Sequence, residues 1–119
     1  MVLFGIYVYM NIYDMNTEEI SFPIEEELAD LEEFFRIFGD RTRLQILFHL
    51  VMQPEMGVNE IAEAISMHQT AVSHQLKVLR HLRMVRYRKA GRNVYYRLSD
   101  NHIKDMLIIG MQHLQESVV

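Results

Sequence analysis

The chain contains no cysteine among its 119 residues. That absence removes disulfides, thiol nucleophiles and every thiolate metal site together, so any bound metal must be held by nitrogen and oxygen. It suits a reducing cytoplasm, the expected location. Long apolar runs are also missing. The opening stretch MVLFGIYVYMNIY is apolar and aromatic, yet it is too short to span a bilayer and lacks the basic flank and cleavage site of a secretion signal. No membrane association is expected. Residues 1–15 are either a miscalled leader, since Met10 and Met15 offer alternative starts, or an extra strand or N-terminal extension packing on the dimer; residues 16–119 are the working domain. No internal repeat, low-complexity tract or flexible linker divides that domain. At this length one modest core forms, small enough for a dimer interface to add much of the stability.

One long segment lacks acidic charge while carrying most of the basic charge. Between Glu63 and Asp100 there is no Asp or Glu, while Lys77, Arg80, Arg83, Arg86, Arg88, Lys89, Arg92 and Arg97 supply eight of the 12 Lys and Arg. The N-terminal part, with Asp14, Glu18, Glu19, Glu25, Glu26, Glu27, Asp30, Glu32 and Glu33, is strongly acidic and accounts for the net charge of -4. A polyanion would be attracted to one face and repelled elsewhere.

Apolar periodicity predicts the elements. Leu28, Leu31, Phe34, Phe35 and Phe38 recur at three- and four-residue steps against an acidic face, giving an amphipathic helix from about Ile24 to Phe38 that Gly39 stops. A second helix follows Asp40 or Thr42 as cap and carries Leu44, Ile46, Leu47, Leu50 and Val51 until Pro54 and Gly57 break it. His49 on it reads as an ordinary helix residue. Asn59 is the expected cap of a short third helix with Ile61, Ala62 and Ile65. Ser66, Met67 and His68 then connect to a fourth helix, about Gln69 to Leu82, whose stripe of Val72, Leu76 and Leu79 leaves Gln69, Thr70, Ser73, His74 and Lys77 outside. Met84–Lys89 and Asn93–Leu98 read as a hairpin around Ala90, Gly91 and Arg92. A last helix runs from about Asp100 to Glu116, with Ile103, Met106, Leu107, Gly110, Met111 and Leu114 on one stripe.

The fold predicted is therefore mainly α with a β-hairpin wing: a winged helix-turn-helix, dimeric. In that architecture one helix enters the major groove while the wing reaches toward an adjoining groove or phosphate. Gln69, Thr70, Ser73 and His74 are suited to base edges; Lys77, Arg88, Lys89 and Arg92 are suited to neutralising phosphate. Double-stranded operator DNA is the expected partner. Enzymatic activity is not expected, because Ser73 and His74, as neighbours on a helix, point ~100° apart and no positioned acid lies nearby.

The C-terminal helix carries a second constellation: Asp100, His102, His113 and Glu116. The 11 residues from His102 to His113 turn ~1100°, so both histidines share a face but lie ~16 Å apart along the axis. One ion cannot touch both, since ligands of one zinc lie only ~3 to 4 Å from one another. His102 of one chain would have to meet His113 of an antiparallel partner helix, giving a homodimer with two metal positions. Against this, acids and histidines on an amphipathic helix are commonly a solvated face, and Asp100 is also a good helix cap. Zinc is the expected regulatory ion for four such ligands, with cobalt a surrogate and nickel requiring further donors.

The segments FRIFGDRTRLQILFHL and VNEIAEAISMHQTAVSHQLKVLRHLRMVRYRKAGRNVYYRLSDNHI resemble the ArsR/SmtB family of metal-responsive repressors. The resemblance covers roughly Glu25 to Glu116. It implies a dimer built on the first and last helices, and Asp100, His102, His113 and Glu116 match the Asp-x-His and His-x-x-Glu pattern of zinc sensors whose site spans paired C-terminal helices. It further implies release from an inverted-repeat operator when zinc binds, with His113 passing the signal to a backbone carbonyl near Arg83. Other family members carry a Cys-containing site on the first DNA-motif helix; the matching stretch here, MGVNEIAEAI, has no thiolate. Arsenic, cadmium or lead sensing by that route is not expected.

Overall fold

The computed structural model describes residues 21–116. The apolar leader at residues 1–15 lies outside them. Helix α1 (Glu25–Phe38) opens with three glutamates, which favour the positive end of the helix dipole, and the Glu27 carboxylate accepts the Ile24 N–H at 3.0 Å. Gly39 closes it, its N–H bonding to the Phe35 carbonyl at 2.9 Å. Helix α2 (Arg41–Met52) is capped by Asp40 rather than Thr42: the Asp40 carboxylate accepts the Arg43 N–H at 3.1 Å.

Two details depart from the sequence reading. Beyond Pro54 the chain does not simply break; Met56–Gly57 forms a short strand, β1, that pairs with a later strand. Helix α3 (Val58–Ile65) then starts directly after Gly57, so Asn59 lies inside its first turn and is not the cap. Glu60 reaches back instead, its carboxylate accepting the Gly57 N–H at 2.9 Å. The first-turn carboxylate thus satisfies the N–H of the cap residue itself, the reciprocal half of a capping box, and with the helix starting two residues earlier than expected no side-chain cap from Asn59 is needed.

Ser66, in the left-handed conformation at φ 56, ends α3 and sends the chain into α4 (Gln69–His81). Strands β2 (Val85–Ala90) and β3 (Asn93–Leu98) form the wing, paired antiparallel from Val85 with Leu98 to Ala90 with Asn93. Only Gly91 and Arg92 connect them, and Gly91 sits at φ 64, where a side chain would be strained. The sheet order is β1-β3-β2. Helix α5 (Asn101–Gln115) completes the fold.

The core lies where α2, α3 and α4 meet the sheet. Ile46, Leu47, Ile61, Val72, Leu76, Leu79 and Met84 are fully buried there. Each such side chain contributes about 1.5–3 kcal/mol by leaving water, which fixes α4 against α2 and α3. Helix α1 divides its apolar residues. Ile37 is buried and Phe34 and Phe38 pack on the core, whereas Leu28, Leu31 and Phe35 remain 40%, 46% and 52% exposed. Helix α5 does likewise, burying Ile103 and Leu107 but leaving Leu114 79% exposed.

Candidate nucleic-acid interface and metal ligands

Helix α4 buries Val72, Leu76 and Leu79 and presents Gln69, Thr70, Ser73, His74 and Lys77, all exposed, on the other side. Gln69 and Thr70 occupy its first turn, the end that approaches base edges when such a helix enters a major groove. The apolar stripe thus sets which polar side chains face outward, as the periodicity predicted.

The wing is more differentiated. Lys89 and Arg92 are exposed at and near its tip. Arg88 is not free: it forms a bidentate pair with Glu55, Nε to Oε2 at 2.7 Å and Nη2 to Oε1 at 2.8 Å, and lies 4.8 Å from the Tyr95 ring. The Arg88 hydrogen bond holds the Glu55 carboxyl below the usual carboxylate range. Arg88 therefore ties the wing to the segment before β1. Two cations absent from the sequence-based set emerge from the register: Arg86 and Arg97 are directly paired across β2 and β3, and both are exposed. Like charges opposite one another destabilise a sheet unless an anion lies over them. The sequence reading counted Ala90 in the loop as well, which sets Arg86 opposite Tyr96; the observed two-residue turn at Gly91 and Arg92 shifts the register by one and pairs Arg86 with Arg97 instead. Arg80 is less available, its guanidinium 4.4 Å from the centre of the Tyr87 ring.

At the other constellation, Asp100 is the N-cap of α5, with Oδ1 accepting the His102 N–H at 2.9 Å and the Ile103 N–H at 3.4 Å. His102 Nδ1 stands 3.4 Å from the same oxygen, and the two side chains are 79% and 53% exposed. At the far end His113 occupies the last turn and Glu116 is the C-cap, both exposed. The pairs thus sit at opposite ends of one continuous helix, ~16 Å apart from histidine to histidine. Among the described residues no three His, Asp or Glu side chains of a single chain gather closely enough to hold an ion. Each pair offers one imidazole and one carboxylate, solvent-facing, with only one oxygen of Asp100 committed to the cap; these are donor types that a divalent ion accepts.

Helix α5 also carries a group that the pattern did not reveal. Asp105 is 3% exposed, and burial pushes its carboxyl up to about 6, although His102 and Lys104 pull the other way. Its Oδ2 has no hydrogen-bond partner among the described residues.

Among the described residues no helix is long and apolar enough to cross a membrane. Residues 40–87, from the α2 cap into the wing, match the family described as bacterial regulatory protein, arsR family. A transcriptional repressor SmtB homolog of Synechocystis sp. is 42% identical over 92 residues, spanning 77% of this chain and 69% of that protein. The crystal structure of the AntR antimony-specific transcriptional repressor superposes with a TM-score of 0.71 at 28% identity, covering 82% of this chain and 87% of that one. A homodimeric winged helix-turn-helix DNA-binding domain from Mycobacterium bovis superposes with a TM-score of 0.67 at 25% identity, covering 84% and 94%. These relatives are transcriptional regulators, not enzymes. With its two-helix DNA motif, its basic wing and this likeness, the chain belongs to the arsR family of bacterial regulatory proteins.

Proposed function

We propose that this protein is a metal-responsive transcriptional repressor that grips an inverted-repeat operator as a homodimer and lets go when zinc binds. The observation that carries the reading is the distribution on α5: one imidazole–carboxylate pair at each end of a single helix that also leaves Met111 and Leu114 exposed. Two such helices crossed antiparallel would bring Asp100 and His102 of one protomer to His113 and Glu116 of its partner, twice. Zinc, when bound, supplies a four-coordinate cross-link of nitrogen and oxygen between protomers. Asp100 and His102 hold their half in place through the cap of α5, and His113 can donate its second ring N–H to an outer acceptor, the carbonyl near Arg83 being the candidate.

On the DNA side, Gln69, Thr70, Ser73 and His74 read bases. Lys77, Lys89 and Arg92, with Arg86 and Arg97, neutralise phosphate; Arg88 contributes once its pair with Glu55 is taken into account. Opposition between metal and operator requires differential affinity, and linkage makes it mutual: a dimer that loses DNA on zinc binding must lose zinc affinity by the same factor on DNA binding. The AntR relative is an antimony-specific repressor. The lack of cysteine directs this chain toward ions that accept imidazole and carboxylate, zinc first, with cobalt or nickel as alternatives.

A second reading, a family regulator that does not sense metal, draws on the capping bonds of Asp100, which give that carboxylate a role without any ion. Calorimetric titration of the metal-free protein with zinc separates the two, one ion per protomer being expected. His113→Asn should then abolish zinc-induced release in a gel shift while metal-free DNA binding stays within about twofold. Loss of DNA binding in that variant would make His113 structural.

A further inference from the structure

We propose that Arg43 is the strut through which the dimerisation helix sets the angle of the recognition helix, making it a positioning residue for operator binding that touches no DNA itself. Arg43 stands in the first turn of α2, where its own N–H is capped by Asp40. From there its side chain spans two other helices. Its Nε donates to the Gln75 side-chain oxygen on α4 at 2.9 Å, and its Nη1 donates to the Ile37 carbonyl in the last turn of α1 at 3.3 Å.

Both acceptors are informative. The Ile37 carbonyl is one of the last four of α1, which have no partner within the helix, so Arg43 satisfies it and locks the exit of α1. Gln75 lies ~160° around α4 from both Ser73 and Lys77, so the bridge pulls on the recognition helix from behind its DNA-facing side. Arg43 and Gln75 are both half-buried, where a charged donor's bond is stronger than at the open surface. The core contacts of Val72, Leu76 and Leu79 choose which face of α4 points outward, but being non-directional they do not fix its exact angle. A planar guanidinium donating to two separate acceptors does fix it, and lysine, a single point charge, cannot reproduce the fork. This inference rests on the dimeric operator-binding reading. In that arrangement the two α4 helices must meet half-sites at a set spacing, and each inherits its placement from the α1 on which its protomer dimerises.

The test uses the full chain and the duplex that wild-type protein selects from a random-sequence library, compared with a scrambled duplex of equal length. Arg43→Lys and Gln75→Leu should each lower the selected-to-scrambled affinity ratio by about tenfold while dimer mass and scrambled-duplex binding stay within about twofold. The double variant should be no worse than either single one. Gln75→Glu, which retains an acceptor for Arg43, should keep most of the wild-type ratio. An unchanged ratio in Arg43→Lys and Gln75→Leu, selected and scrambled binding falling together with the melting temperature, or Gln75→Glu failing as badly as Gln75→Leu would overturn the proposal. Wild-type protein that selects no sequence at all would overturn the operator reading, and this inference with it.

Discussion

Asp105 is the residue whose chemistry is most at odds with its surroundings. Burial raises its carboxyl from 3.8 to about 6, so the folded protein prefers the protonated form. Its contribution to stability is therefore fully present below about pH 4 and lost as pH rises through 6. Asp105→Asn should raise the unfolding midpoint at pH 7.5 and flatten its pH dependence between 4 and 6, measured by urea denaturation at several pH values. A lower midpoint at pH 7.5 would mean that the carboxylate has a partner in the assembled protein. Asp100 calls for a different pair of substitutions, because cap and ligand roles coincide there. Asp100→Ala should cost about 1 kcal/mol even without metal, whereas Asp100→Ser keeps the cap within a few tenths. If Asp100 is a ligand, both weaken zinc binding in a calorimeter; if it is only a cap, neither does. That Asp100 caps α5 was readable from its position before an apolar-periodic run. That Asp105 is buried was not, since a carboxylate on an amphipathic helix ordinarily reads as solvated.

Among the elements, the wing shows what charge counting misses. Arg88 and Arg92 look equivalent in sequence, yet Arg88 is bidentate to Glu55 and Arg92 is exposed in the turn. Arg92→Ala should reduce the slope of log affinity against log salt by about one, and Arg88→Ala by clearly less. Equal effects, measured by anisotropy across a salt series, would show that DNA breaks the Glu55 pair. Most of the element boundaries were accessible to periodicity, as the stripe Val72, Leu76 and Leu79 illustrates for α4. The strand Met56–Gly57 was not, because two residues carry no period and its pairing with Tyr95 and Tyr96 is a contact across nearly 40 positions.

For the molecule as a whole, the exposed apolar residues of α1 and α5 are the unfinished business of a single chain. Leu28, Leu31, Phe35 and Leu114 would each bury appreciable area against a second copy. Phe35→Glu should therefore yield a monomer in sedimentation experiments. It should lower operator affinity by about a hundredfold or more, because two linked half-site contacts become independent, and it should leave no inter-chain zinc site. A variant that stays dimeric would place the interface elsewhere.

By itself the sequence determined the helix-turn-helix, the wing, the segregation of basic charge and the donor types open to a metal, because each is written in local periodicity or composition. Only the tertiary structure decided that Arg88 is paired, that Asp105 is buried, that α1 gives half its apolar stripe to its own core, and that Arg43 joins α1 to α4. Those outcomes depend on which groups distant in sequence become neighbours, and on how much water is left between them. Neither quantity has a local signature along the chain.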